Sequence, residues 1–184
     1  MSRDHPVPAS WPGVELWCDL MCPDCAGILD DLERLQARAE VRFRHFPQVS
    51  HTWAVPAAQV AEEARVQGML WPVVRAILAT NAEIRSADDL VATAERGGIG
   101  RVAVRRALGD GRHAGSVARD YRDGRVMGVT GTPTIVVQGP GGPVILDGGR
   151  SQDGLLPAAE ALIEAFGVGH PGLLTGQDRP RSIR

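Results

Sequence analysis

The chain has 184 residues, of which 43% are hydrophobic and 23% charged, and its formal net charge is −2. These values predict one folded domain, or one domain carrying a sizeable insertion, and exclude global disorder. The near-neutral charge gives no electrostatic reason to expect nucleic acid as a partner. The opening residues MSRDHPVPASWPG lack an apolar run before a small-residue cleavage site, and no 18-residue apolar stretch occurs. We therefore expect a cytoplasmic protein with no membrane partner.

The first quarter of the chain predicts strand, helix and strand. Residues 14–20 (VELWCDL) are short and apolar, which favours a strand. After Cys22 the apolar residues adopt helical spacing, at Ile28, Leu29, Leu32 and Leu35. Residues 41–46 alternate and predict a second strand that stops at Pro47.

The rest of the chain predicts a helical block followed by a hairpin and a last helix. Residues 54–125 are helical in pattern, with Ser86 and Asp89 as an N-cap pair and Gly97, Gly98 and Gly109 marking helix ends. Residues 134–139 and 143–148 are β-rich and flank a Pro-Gly-Gly turn. The last helix would be capped by Ser151 and would carry its apolar stripe from Leu155 to Phe166.

This order is β-α-β, helical insertion, β-β-α. It divides the chain into a first part (1–53), a helical insertion (54–125), a second part (126–166) and a Gly-, Pro- and Arg-rich tail (167–184), which we expect to be flexible.

All three cysteines lie within eight residues, at Cys18, Cys22 and Cys25. Such clustering indicates one chemical site rather than a disulfide framework. A lone C-x-x-C is also typical of half a zinc site or of inert core thiols. However, no second C-x-x-C occurs and no two of the five histidines have ligand spacing. The strand-to-helix junction and the proline between the cysteines favour redox exchange.

The Cys22-Pro23-Asp24-Cys25 motif falls where the first helix begins. The Cys22 sulfur would therefore face unpaired backbone N–H groups and the positive end of the helix dipole, which favour a thiolate. Pro23 is compatible with the first helical turn, because the N–H it lacks would be unpaired there. Cys25 returns to the same helix face, within reach of a disulfide with Cys22.

A second motif, Gly131-Thr132-Pro133-Thr134, stands just before a predicted strand. Together with CPDC it makes the chain resemble the DsbA-like thiol–disulfide oxidoreductases, over about residues 14–166. The resemblance implies an α/β thioredoxin fold with a helical domain inserted after the second strand. It also implies that Cys22 is the nucleophile, that Cys25 is the resolving thiol, and that Thr132-Pro133 is a cis-proline loop that offers backbone groups to an extended substrate.

The same resemblance implies disulfide-containing protein or small-molecule substrates and no cofactor or metal beyond a redox-active Cys22–Cys25 disulfide. Asp24 stands where strongly oxidising members carry a basic or aromatic residue. A carboxylate beside the sulfur disfavours the thiolate and makes the disulfide easier to keep. We therefore expect a reductant, with a small thiol or a thioredoxin-like protein as electron donor.

Several other residues have two interpretations each. Cys18 shares strand parity with Leu16 and Leu20, so it is a small buried hydrophobe or a third redox thiol exchanging with Cys22. Glu15 and Asp19 lie on the other parity of the strand, and are either solvated or supply a proton acceptor for the Cys25 thiol. We expect one tryptophan to line an apolar groove beside the site. The other roles expected of the histidines and tryptophans are structural, for His45, His51, Trp11, Trp17, Trp53 and Trp71.

Two other functions fit parts of the sequence. The spacing Cys18-xxx-Cys22-xx-Cys25 matches the cluster-binding run of radical S-adenosylmethionine enzymes, in which three thiolates bind a four-iron cluster. Against it, Asp24 replaces an aromatic residue, and the repeated βα units of the required barrel are missing. The other alternative is a redox-inactive or metal-holding binding module on the same fold.

Overall fold

The structure is a computed structural model that describes residues 13–148 and 154–166. Its sheet has the strand order β2-β1-β3-β4. The strands are β1 (Val14–Cys18), β2 (Val41–His45), β3 (Thr134–Gly139) and β4 (Gly142–Asp147). β1 pairs in parallel with β2 and antiparallel with β3, and β3 forms a hairpin with β4. The hairpin turns where the Pro-Gly-Gly sequence predicts it.

The helices lie in three groups along the chain. Between β1 and β2 are α1 (Pro23–Ala26) and α2 (Leu29–Arg38). Between β2 and β3 are α3 (Ala54–Val66), α4 (Leu70–Thr80), a 3-10 turn (Asn81–Glu83), α5 (Ala87–Arg96), α6 (Arg101–Asp110) and α7 (Ala114–Met127). The last helix, α8 (Leu155–Ala165), follows β4. This is the predicted β-α-β, helical insertion, β-β-α order.

The central strand β1 is buried along its whole length because both faces of the sheet are covered. On one face Val14, Leu16 and Cys18 belong to a large core shared with α1, α2, α8 and the inserted helices. On the other face Trp17 packs with Phe46, under Tyr121 and Met127 of α7. Burial of these apolar side chains stabilises the fold by about 25 cal/mol per Å² removed from water.

Gly124 allows α7 to lie directly on Trp17. A Cβ at this position would stand 2.7 Å from Cζ3 of Trp17 and 3.0 Å from Cδ2 of Phe46. We expect Gly124→Ala to destabilise the protein by about 2 kcal/mol in urea unfolding, because a packed aromatic core resists an added methyl group. Gly115→Ala is the matched control in the same helix, since its Cβ would meet only Arg119 at 3.9 Å. An equal effect of both substitutions would show that the Trp17 contact is unimportant.

Three local predictions have clear outcomes. The Ser86 cap is confirmed, since its hydroxyl oxygen accepts a 3.1 Å hydrogen bond from the Asp89 N–H. The expected single first helix is interrupted, with α1 ending before Gly27, a residue of low helix propensity. Gly109 lies inside α6, which ends instead at Asp110, before Gly111, where φ is +61° and glycine is favoured.

The predicted cap Ser151 and the predicted tail 167–184 lie outside the described residues.

Candidate active site

The CPDC motif forms the turn between β1 and α1. Cys22 is the N-cap of α1 in an extended conformation, and Pro23 occupies the first helical position. Pro23 and Asp24 are exposed, whereas Cys22 is 5% exposed and Cys25 is fully buried. Both cysteines are free thiols. Cys22 is thus the outer thiol of the pair, nearer to solvent, and Cys25 is the inner thiol.

The Thr132-Pro133 loop lies against the outer thiol. The Thr132–Pro133 peptide bond is cis. The Cys22 thiol donates to the Thr132 carbonyl oxygen, with a sulfur–oxygen distance of 3.6 Å. Gln48 fixes the loop from the other side, since its Nε2 donates to Thr132 Oγ1 at 3.0 Å. The fold therefore brings together two motifs that are 110 residues apart in sequence.

The two thiols have raised pKa values, contrary to the expectation from the helix N-terminus. The pKa of Cys22 is raised mainly by its hydrogen bond with the Cys25 thiol and then by burial. The backbone N–H of Cys25 lowers the pKa of Cys22, but by less. Burial raises the pKa of Cys25 further. The stabilisation expected from the helix N-terminus is thus outweighed by the Cys25 thiol and by burial.

Asp19, for which the sequence leaves a solvated residue and a proton acceptor as the two interpretations, is a buried hydrogen-bond centre. Its Oδ1 accepts from the Met21 N–H at 2.8 Å. Its Oδ2 accepts from the Gln48 N–H at 2.9 Å and contacts His51 Nδ1 at 2.7 Å. The carboxyl group therefore ties the residue before Cys22 to the loop that follows β2.

Asn81 connects the inserted helices to the same turn. Its side-chain Nδ2 donates to the carbonyl oxygens of Leu20 and Cys22, at 3.3 and 3.1 Å. Sequence reasoning did not find Asn81 or Gln48, because each is remote in sequence from the residues it contacts and neither belongs to a local motif. Both act on backbone or loop groups around the sulfur.

A cleft of about 630 Å³ opens beside Pro23. Its lining includes His51, Trp53, Asn81 and Arg85, from the loop before α3 and the segment before α5. One tryptophan thus lines a groove at the motif, as predicted. The other tryptophans among the described residues pack, Trp17 against Phe46 and Trp71 against Phe43.

The remaining candidate side chains are placed as follows. Cys18 is 1% exposed and its thiol is a hydrogen-bond partner of Cys25. Glu15 forms an ion pair with Arg44 at 2.9 Å. His45 is buried and contacts Glu62 at 3.0 Å, in the structural role expected for it. His51, in contrast, lies beside the motif through Asp19.

Neither a metal cluster nor a membrane span has support in the part of the chain that the structure describes. There, no group of three or more His, Cys, Asp or Glu side chains is arranged to hold a metal ion, and this includes the three cysteines. Among residues 13–148 and 154–166, no helix combines the length and apolar character that a bilayer crossing requires.

Comparison with known families gives a match to the DSBA-like thioredoxin domain over residues 48–159. The match begins after CPDC and includes Thr132 and Pro133. Among curated proteins, the Na(+)/H(+) antiporter NhaA 3 of Salinispora tropica is 37% identical over 144 residues. That alignment covers 74% of this chain but 22% of the antiporter, so the chain spans about a fifth of the length of this relative.

Solved structures share the fold over most of the chain. A probable DsbA oxidoreductase from Streptomyces coelicolor superposes with a TM-score of 0.68 at 20% identity, covering 87% of this chain and 92% of the other. The cytosolic disulfide reductase DsbM from Pseudomonas aeruginosa gives a TM-score of 0.63 at 16% identity, covering 83% and 99%. The α/β architecture is thus a thioredoxin fold with a helical domain inserted after the second strand, as the resemblance predicts. The chain belongs to the DSBA-like thioredoxin domain family.

Proposed function

We propose that this chain catalyses thiol–disulfide exchange on disulfide-containing proteins or small molecules through Cys22 and Cys25. The observation that carries the proposal is the position of the Cys22 thiol, which interacts with the Cys25 thiol and is hydrogen-bonded to the Thr132 carbonyl oxygen. An attacking thiolate needs a second thiol that resolves the mixed disulfide it forms, and a backbone surface that aligns the substrate. Cys22 has both beside it. No cofactor is proposed beyond the Cys22–Cys25 disulfide.

In the first step, Cys22 loses its proton and attacks one sulfur of the substrate disulfide. A mixed disulfide forms and one substrate thiolate leaves. Cys25 then attacks the Cys22 sulfur, the second substrate thiolate leaves, and the Cys22–Cys25 disulfide forms. Two electrons pass to the substrate, whose two thiolates are protonated.

The substrate would dock at Thr132 and Pro133, with Pro23 and Asp24 at the exposed rim of the site. Backbone groups of a loop can pair with an extended segment as a further strand would. The cleft beside Pro23 offers apolar surface from Trp53 and a cation from Arg85 to the flanking part of the substrate.

We propose that electrons flow from Cys22 and Cys25 to the substrate. Strongly oxidising dithiols owe their potential to a thiolate that stabilises the reduced form. Here the pKa values of Cys22 and Cys25 are both raised, so at neutral pH the reduced form gains no such stabilisation. A cytoplasmic setting, with a small thiol or a thioredoxin-like protein as electron donor, agrees with that direction.

The pH dependence of the redox potential tests both the dithiol chemistry and its direction. If Cys22 and Cys25 both keep their protons when reduced, each two-electron reduction takes up two protons. The potential should then fall by about 59 mV per pH unit between pH 6 and 8, twice the roughly 30 mV of a couple that takes up one proton. Equilibration with glutathione buffers measures this slope. A slope near 30 mV would contradict the proposed reducing direction, and absence of a two-electron couple would contradict the function.

Asp24 is expected to affect the pKa of Cys22 and therefore the redox potential. Asp24→His removes a negative charge and adds a group that can become positive, so the pKa of Cys22 should fall. In a plot of redox potential against pH, the slope changes from about 59 to roughly 30 mV per pH unit near the pKa of Cys22. In Asp24→His this change of slope should move to lower pH, and the potential should be higher only above that pH. Asp24→Asn, which removes the charge alone, should give a smaller shift. Unchanged curves in both variants would place the Asp24 carboxylate too far from the sulfur to matter.

A further inference from the structure

Cys18 is the nucleophilic side chain that the proposed mechanism leaves unused. It ends β1 on the sheet face that also carries Leu16, and it belongs to the same buried core as Cys22 and Cys25. Trp17, its neighbour in the chain, belongs to the core on the opposite face. Cys18 thus lies on the sheet face that packs into the core containing Cys25.

Cys25 is the shared partner of the other two thiols. Its thiol interacts with those of Cys22 and Cys18, and the three side chains lie in one buried core. All three are free, and Cys18 and Cys25 are almost completely shielded from water. A sulfur with two thiol neighbours can form a disulfide with either, because exchange requires only that a thiolate approach a sulfur of an existing disulfide.

We propose that the oxidised chain holds its disulfide in two interchangeable positions, Cys22–Cys25 and Cys18–Cys25. Cys18 attacks the Cys25 sulfur, so the Cys18–Cys25 bond forms as the Cys22–Cys25 bond breaks. The proton lost by Cys18 is taken up by the Cys22 thiolate that leaves. No electrons are gained or lost, and no other reactant is needed.

The exchange gives the chain a state that a simple dithiol lacks. In the Cys18–Cys25 form the protein is oxidised, yet Cys22 is a free thiol beside the Thr132 carbonyl oxygen. Cys22 can then attack a further disulfide while the internal disulfide stays buried. This inference rests on the proposed function for its use of Cys22, but its test does not need catalysis.

The sequence allows direct mapping of the three sulfurs. Asp19 stands between Cys18 and Cys22, and Asp24 between Cys22 and Cys25. An endoprotease that cleaves before aspartate therefore puts each cysteine in its own peptide. The full chain is equilibrated with glutathione buffers, quenched with acid, alkylated in denaturant and digested, and linked peptides are identified by mass.

In the Cys22→Ser protein we expect the peptides of Cys18 and Cys25 to be linked, so that alkylated thiols fall from two to none on oxidation. The matched Cys25→Ser protein should give no internal link, because the shared partner is gone. In the unsubstituted protein both linkages should be found, and Cys18→Ala should leave only Cys22–Cys25. Two alkylated thiols in oxidised Cys22→Ser, or a Cys18–Cys22 link in Cys25→Ser, would overturn the inference.

These outcomes separate the two proposals. If the unsubstituted chain shows a Cys22–Cys25 couple but Cys22→Ser retains both thiols, only the role of Cys18 is wrong. If the unsubstituted chain forms no Cys22–Cys25 disulfide at all, the proposed function fails, whatever Cys18 does.

Discussion

Cys22→Ser should abolish disulfide exchange, with a loss on the order of 10³-fold or more, as for removal of an essential nucleophile. A serine hydroxyl does not ionise near neutral pH and forms no disulfide, so neither the attack nor the mixed intermediate is available. The fold should be unaffected, because the substitution is nearly isosteric at the edge of the core. The rate of reduction of a disulfide-bonded protein, followed with a thiol donor in excess, measures the effect.

Cys25→Ser is the matched variant that separates the two roles. Cys22 can still attack, but the mixed disulfide has no Cys25 to resolve it, so a covalent complex should accumulate and should be released by dithiothreitol. Cys22→Ser should form no such complex. If instead Cys22→Ser trapped the substrate and Cys25→Ser were inert, the attacking and resolving roles would be reversed.

Local sequence patterns predicted the order of the elements and the position of the thiol pair. The alternation in β2 and the helical spacing of α2 are properties of short segments, so they can be predicted from the sequence without knowledge of the fold. The same is true of Ser86, whose capping bond lies within four residues. Cys22 and Cys25 fall together because their spacing is close to one helical turn.

The chemistry of the thiols was not predictable in the same way. The pKa of Cys22 depends on its contact with Cys25 and on burial, and both depend on tertiary packing rather than on the turn itself. Cys18 was expected to exchange with Cys22, if with any thiol, but the thiol that it interacts with is that of Cys25.

Asp19 shows why strand parity does not separate solvated from buried residues in this sheet. Both faces of β1 are covered, so Glu15 and Trp17, which share the parity of Asp19, are buried as well. The chain turns after β1, and the Asp19 side chain folds under the CPDC turn to reach Met21 and Gln48. The burial of a carboxyl group at a turn can be recognised only when the positions of the backbone groups around it are known.

Asp19→Ala should therefore destabilise the protein by about 3 kcal/mol, because the backbone N–H groups of Met21 and Gln48 lose their acceptor in a buried place. His51→Ala is the control. It removes one of the three contacts, and its side chain is 27% exposed while that of Asp19 is fully buried. The expected cost of His51→Ala is about 1 kcal/mol. Urea unfolding of the two reduced proteins measures the difference in the free energy of unfolding.

The Asp19 substitution should also slow substrate reduction, because Met21 immediately precedes Cys22. Loss of the Asp19 bond to the Met21 N–H frees the turn that holds the Cys22 sulfur against the Thr132 carbonyl oxygen. We expect slower substrate reduction by folded Asp19→Ala protein, with the number of titratable thiols unchanged, whereas His51→Ala should lose less activity. If Asp19→Ala were no less stable and no slower than His51→Ala, the carboxyl group would be neither a structural centre nor a positioning residue for Cys22.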